Sequence, residues 1–467
     1  MIEEQTEAIE EVPAPTTSKL ALDRFPFPWL ETALVVAGLL ANLLLLPHEL
    51  GGDGWFRFAA LADLLVNGTM PQVKYSMVGP LFSTPFWYLS KIYQSHDWWL
   101  SRYNVFVLGA GMLAIYWLLK DRVNRGLLRK FFLLLVMASM FPYHLLYYYG
   151  EAFTAVFVAV GCVALVAGPA LVGWCVIILG VVNTPATLLG LFLLDGMHIL
   201  AKRRVRYVLA LFAALALMML ESWIRRGSPF ANGYADDHGV RTIMPYSGRP
   251  GFSNPFFFGL ISLLFSFGKG IFFFAPGLLL PIRQTLRAVR EKMSVDLFAI
   301  YLLWISFFIG VLLVYSSWWA WHGGWFWGPR FLLIASVPAS FALAVRLQWL
   351  HRSLFVNVLT LLVLVLSVWV GINGAVYGDK ALMSFCLANN AYLETPVCYY
   401  TPEFSVLWHP FVVYQPLDHK QLLYLLYSLF VGVYLLVPLA NTTGRQAFAA
   451  ALGFVREFRS SQRSLTW

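Results

Sequence analysis

Apolar stretches close to twenty residues long recur between residues 29 and 440, and nothing else in the chain limits its fold as much. A helix rises about 1.5 Å per residue, so about twenty apolar residues cross bilayer hydrocarbon. There every backbone N–H and C=O must be bonded within its own segment, which leaves helices as the spanning form. Such segments lie near 29–47, 104–119, 131–148, 152–168, 171–183, 185–200, 207–223, 271–282 (extended upstream), 296–315, 331–346, 354–374 and 419–440. The pattern predicts an all-α polytopic membrane protein of about twelve crossings (roughly 11–13), several short enough to tilt or re-enter. With 59% hydrophobic and 12% charged residues, a soluble enzyme is excluded.

Charge then orients the segments. Basic clusters follow alternate spans: Lys120 to Lys130, Lys202 to Arg206, Arg283 to Lys292, Arg346 with Arg352, and Arg445 to Arg463. All fall on one side if both termini are cytoplasmic. The net charge of +9 reflects these loops, not a nucleic-acid partner. Residues 1–28 read as a disordered acidic tail, 29–440 as the membrane domain and 441–467 as a basic cytoplasmic tail. The opposite, external face receives loops 48–103, 223–270, 316–330 and 375–418. No charged residue sits clearly in mid-span, and no transporter-like repeat is evident. Of four cysteines, none fits a metal pattern; Cys386 and Cys398 share a loop and can pair if it faces an oxidising compartment.

The first external loop opens His48-Glu49-Leu50-Gly51-Gly52-Asp53. Trp55, Phe58, Ala62, Leu65 and Val66 then share a helical face with Arg57 and Asp63 off it, which predicts amphipathic juxtamembrane helices lying along the surface. Leu81 to Tyr93 reads as interfacial. Asp53 stands where an N-cap belongs, yet a carboxylate at this lip can also take a proton from a hydroxyl or hold a divalent cation.

The succession of first span, acidic residue, amphipathic helix, Asn67-Gly68-Thr69, Tyr75 and Gly79-Pro80-Leu81 resembles the first extracytoplasmic loop of GT-C glycosyltransferases. It is most similar to the protein mannosyltransferase and lipid A aminoarabinose transferase group. The resemblance implies that Asp53 is the catalytic or metal-binding carboxylate. It departs from that group in having glycines on both sides of Asp53 and Val78-Gly79-Pro80-Leu81 where Lys-Pro-Pro-Leu is usual.

Other external features fall beside it. Glu151, after Tyr147-Tyr148-Tyr149-Gly150, is a candidate second acidic group. Loop 223–270 carries Arg225, Arg226, Arg241 and Arg249, and Asp236-Asp237-His238 reads as a solvated acidic turn. Ser266-Phe267-Gly268-Lys269-Gly270 sets a Lys between glycines at a membrane entry. Residues 318–330 hold five tryptophans, three glycines, His322 and Arg330. Most of these tryptophans read as interface anchors. Arg330, beside Gly328-Pro329, is placed to grip a phosphate with its rigid fork, and His322 is a candidate partner. Stretches like Gly268-Lys269-Gly270 and Gly323-Gly324-x-x-x-Gly328-Pro329-Arg330 accompany each other in bacterial enzymes of the GT-C kind. Loop 375–418 reads as a cap over the site.

The resemblance implies an inverting transferase in a bacterial inner (plasma) membrane. Its donor would be a polyprenyl-phosphate sugar and its acceptor a hydroxyl of a lipid, glycan or protein. Asp53 would act as base, with Lys269 and Arg330 on the phosphate. A divalent cation such as Mg or Mn is compatible with it and not required. Two alternatives stand beside this reading: a lipid-linked sugar transporter or flippase, and a polymerase or ligase using a polyprenyl-diphosphate donor.

Overall fold

The computed structural model describes residues 28–464, apart from 236, 240, 242–243, 325–326, 381, 383–385 and 387–395. The acidic tail before residue 28, Asp236, Trp325 and the basic side chains after residue 455 lie outside the described residues. Among the described residues, every regular element is a helix. The longer ones are α1 (Pro28–Leu44), α2 (Asp53–Ala62), α3 (Tyr103–Leu119), α4 (Arg125–Met137), α5 (Gly150–Ala167) and α6 (Ala170–Asn183). After them come α7 (Leu188–Lys202), α8 (Leu209–Arg226), α9 (Phe256–Phe265), α10 (Leu297–Ser317), α11 (Ser336–Gln348), α12 (Leu354–Ile372) and α13 (His419–Ser464).

Among the described residues, seven helical stretches are long and apolar enough to cross a membrane: Gly150–Ala167, Pro185–Lys202, Val205–Arg226, Leu297–Ser317, Arg330–Gln348, Leu354–Tyr377 and His419–Val455. The shorter apolar helices α1, α3, α6 and α9 accompany them. The fold is that of an all-helical membrane protein. The segment expected near 271–282 is not one helix. It divides into Ile271–Phe274 and a 3-10 turn at Pro276–Leu279, because Pro276 has no N–H to continue the ladder. The last helix runs through Pro438 to Ser464, so the expected C-terminal tail begins as a continuation of that helix.

Small residues allow the closest crossings, as membrane bundles require. A Cβ on Gly310 of α10 would stand 2.5 Å from the Leu189 carbonyl at the start of α7, and one on Gly371 of α12 only 1.9 Å from the Met137 carbonyl of α4. At the end away from Asp53, Glu31 of α1 is fully buried against Arg129 (2.6 Å) and Lys130 (3.0 Å) of α4. Lys130 also donates to Gln348 of α11 at 2.9 Å. Buried charges are tolerable only when paired this way, and the cluster pins three helices together.

One expectation is corrected. Asp195 sits in the middle of α7, 2% exposed, with both carboxylate oxygens buried and lacking a hydrogen-bond partner among the described residues. A charged residue type does therefore stand in mid-span. Along α2 and the turn after it, burial differs from side to side. Gly54, Arg57, Ala60 and Leu61 are buried, whereas Trp55 is 52% and Val66 69% exposed. Beside a bilayer the apolar face meets lipid and the polar one turns to protein. The stretch Leu81 to Tyr93 holds parts of two short helices, Val78–Phe82 and Thr84–Leu89, neither long enough to cross.

Candidate active site

The inward turn of α2 sets up the site. Gly52 takes the N-cap position with a φ of 53°, a left-handed conformation that suits glycine. Asp53 becomes the first helical residue instead of the cap expected of it, and its side chain caps nothing. That leaves the carboxylate free to face a cavity of about 690 Å³, closed by the N-terminus of α5, the ends of α6 and α10 and the Trp-rich loop.

Both carboxylate oxygens of Asp53 are engaged. The Tyr75 hydroxyl donates to one at 2.6 Å and an Arg330 Nη donates to the other at 2.8 Å. Burial pushes the Asp53 carboxyl up, but the Arg330 charge and these hydrogen bonds outweigh it and hold its pKa below the usual value. Burial and the neighbouring carboxylate drive the Tyr75 phenol upward, so it stays a donor. Glu151, at the start of α5, lies 3.6 Å from Arg330 Nε on the other side. The expected partners Asp53, Glu151, Tyr75 and Arg330 thus converge, with one guanidinium between two carboxylates. The Tyr149 ring lies 5.3 Å from that guanidinium.

Local sequence explains where Arg330 stands. Gly323, Gly324 and Gly328 all have φ between 61° and 75°, which folds the loop back so that Arg330 packs over Gly323. Lys269 is 3% exposed and lies behind this loop, outside the cavity wall, donating to the carbonyls of Gly328 (3.0 Å) and Gly324 (3.2 Å). Burial lowers its pKa to about 7, against the pull of Asp379. His322 is buried too, with Nδ1 accepting from the Gly324 N–H (3.0 Å) beside the Tyr399 hydroxyl (3.1 Å). Burial takes it down to about 3, so it stays neutral. Lys269 and His322 brace the loop that carries Arg330; neither reaches the cavity.

The remaining expectations divide. Arg241 and Arg249 are exposed and line no part of the cavity. Asp237 is not a solvated turn residue: it pairs with Lys74 at 3.0 Å on the cavity wall. Trp321 and Trp327 are 5% and 0% exposed, with the Trp327 indole donating to Asn373 at 2.6 Å. They are core residues, not interface anchors. Trp318 and Trp319 line the cavity with Tyr234 and Phe252. Cys386 and Cys398 are joined in a disulfide, and Tyr399 next to it stacks on His322 at 4.9 Å. Tyr399, in the expected loop 375–418, therefore buttresses the Trp-rich loop from behind.

One residue escaped the sequence reading. Arg57 is 7% exposed, lines the cavity 4.9 Å from the Tyr75 ring, and makes no ion pair among the described residues. Its Nη1 donates to the Ser76 carbonyl at 3.4 Å, while its buried Nε has no partner there. The i,i+4 spacing from Asp53 was the available signal, since it puts both on one helix face.

Asp53 already accepts from Arg330 and Tyr75, and a second guanidinium stands in the same wall. No group of three or more His, Cys, Asp or Glu converges among the described residues. What the cavity offers is a carboxylate held ionised, two guanidinium groups and an aromatic wall, a set able to hold an anion and accept a proton. No protein-family model, curated protein or solved structure matches the chain.

Proposed function

We propose that the chain is an inverting GT-C-like glycosyltransferase of about twelve membrane crossings that takes a sugar from a polyprenyl-phosphate donor. The observation that carries this reading is Asp53, ionised by Arg330 and Tyr75 in the wall of a large cavity, with Arg57, which makes no ion pair among the described residues, one helical turn away. Its site would open to the extracytoplasmic face of a bacterial inner membrane. A lipid-linked donor suits a cavity that is charged at one end and bordered by apolar helices.

In this mechanism the acceptor oxygen attacks the anomeric carbon as the bond from that carbon to the phosphate oxygen breaks. The acceptor proton passes to Asp53, and polyprenyl phosphate leaves with the bonding pair. A single displacement inverts the anomeric centre. Asp53 is a weak base, which suffices when the anomeric carbon is strongly cationic at the transition state. Arg57 and Arg330 hold the phosphate as it gains charge, so they stabilise the transition state more than the ground state. Arg57, and not the buried Lys269, is the second cation on the phosphate; Lys269 holds the loop. Glu151 keeps Arg330 directed into the cavity.

A test is direct. Detergent-purified protein is incubated with a synthetic polyprenyl-phosphate sugar and short alcohol or glycan acceptors, with and without chelator. Release of polyprenyl phosphate with an inverted product, undiminished by chelator, is the predicted result. A retained configuration would refute single displacement. The transporter reading draws on Asp195, a mid-membrane acid of the kind such proteins use; Asp195 lines no part of this cavity.

A further inference from the structure

The basic connections that orient the chain also build something. At the end of the bundle away from Asp53, the turn between α3 and α4, the segment before α10 and the residue after α11 enclose an open hollow of about 600 Å³. Lys120, Arg122 and Arg125 line it with one acid, Asp121, and Trp349 and Val289 supply apolar wall. A second hollow, lined by Arg287 and Arg290, shares Val289 and Met293 with the first.

Three details separate this from an ordinary solvated charge run. Lys120 Nζ lies 3.8 Å over the ring of Trp117, which is 60% exposed at the end of α3. An exposed Trp beneath a Lys marks the headgroup level of a bilayer. Arg122 is fixed by donating to the Ala167 carbonyl at the end of α5, so its position is set by the fold. Arg125 donates through Nε to the Lys120 carbonyl at 3.3 Å, and its ion-pair partner is the screened Asp121 at 3.3 Å, with both side chains more than 60% exposed. Such a pair contributes little and yields easily to a better anion. Three cations against one carboxylate, at headgroup depth and beside an indole, suit a phosphate that carries apolar chains.

We propose that this hollow is a binding site for the phosphate of an anionic phospholipid headgroup, held by Lys120, Arg122 and Arg125 with Trp349 against the glycerol. It is separate from the cavity around Asp53 and assigns the basic end of the bundle a lipid contact. Basic pockets between transmembrane helices recognise headgroups in this way.

Native mass spectrometry of the full chain in detergent tests it, using phosphatidylglycerol, phosphatidylcholine and inorganic phosphate as probes. Phosphatidylglycerol adducts should outnumber phosphatidylcholine adducts several-fold and survive millimolar phosphate. The Lys120→Gln/Arg122→Gln/Arg125→Gln variant should lose that preference. Because Arg122 also closes α5, Lys120→Gln/Arg125→Gln is measured beside it and should show a smaller loss in the same direction. Equal retention of the two lipids by the wild type would overturn the site, as would an unchanged preference in both variants. Displacement of phosphatidylglycerol by inorganic phosphate would overturn the lipid as its source.

Discussion

Asp53→Asn separates charge from shape at the proposed base. Asparagine keeps the volume and one oxygen acceptor, so contact with either Tyr75 (2.6 Å) or Arg330 (2.8 Å) survives. What disappears is the negative charge. At 2.8 Å and an effective dielectric near 20, the gross attraction lost is about 6 kcal/mol. Desolvation of the pair offsets most of it, leaving a net loss of about 1–3 kcal/mol. Glu151 still faces Arg330 at 3.6 Å, so the fold should survive with a Tm lower by a few degrees. Catalysis should suffer far more, since a positioned general base contributes about 10²–10⁴-fold. Donor binding should hold or tighten, because Arg330 loses a competitor for the phosphate. The assay is single-turnover sugar transfer alongside equilibrium binding of the polyprenyl-phosphate donor. A kcat within about threefold of wild type, or a loss confined to binding, would refute the base assignment.

Other perturbations probe separate links. Arg57→Gln should weaken donor use by about 2–4 kcal/mol in kcat/KM, the size of one preorganised electrostatic contact. An unchanged kcat/KM in that variant argues against a phosphate role. Since the Asp53 pKa is lowered, its ionised form persists down through the ordinary carboxylate range. The stability it confers is complete above the unfolded value of about 4 and is lost only as pH falls through the lower folded value. The pH–rate profile should accordingly show no acid limb from Asp53 near pH 6; a limb there that vanishes in Asp53→Asn contradicts this. Removal of the carboxylate in Glu31→Gln takes the shared counter-charge from Arg129 and Lys130 and should cost about 3–5 kcal/mol of stability, read as thermal unfolding in detergent, with turnover per folded molecule unchanged. His322 titrates near 3 when folded and at its ordinary value when unfolded, so the unfolded chain binds the extra proton between them. Thermal stability should fall as pH drops from about 6.5, and less steeply in His322→Gln.

The helical membrane class was legible because apolar length is a one-dimensional signal that the bilayer enforces. Asp53, Tyr75, Glu151 and Arg330 were also legible as candidates, since topology alone carries each to one end of the bundle. What the sequence withheld was direction. Lys269 and Arg330 flank similar glycine-rich stretches, yet one side chain turns behind the loop and the other into the cavity. That choice depends on where Gly324 and Gly328 present their carbonyls. Arg57 was passed over because an amphipathic pattern says which residues share a face, not whether lipid or protein meets that face. Asp195 was missed because a single acid scarcely lowers the mean hydropathy of an apolar run.

The central claim is that this cavity handles a polyprenyl-phosphate sugar, and the lipid retained by the purified protein tests it most directly. Mass spectrometry of lipid extracted from wild-type protein should find polyprenyl phosphate or its glycoside, depleted in an Arg57→Gln/Arg330→Gln variant. Polyprenyl diphosphate in its place, or no polyprenyl lipid under conditions that preserve turnover, would contradict the account.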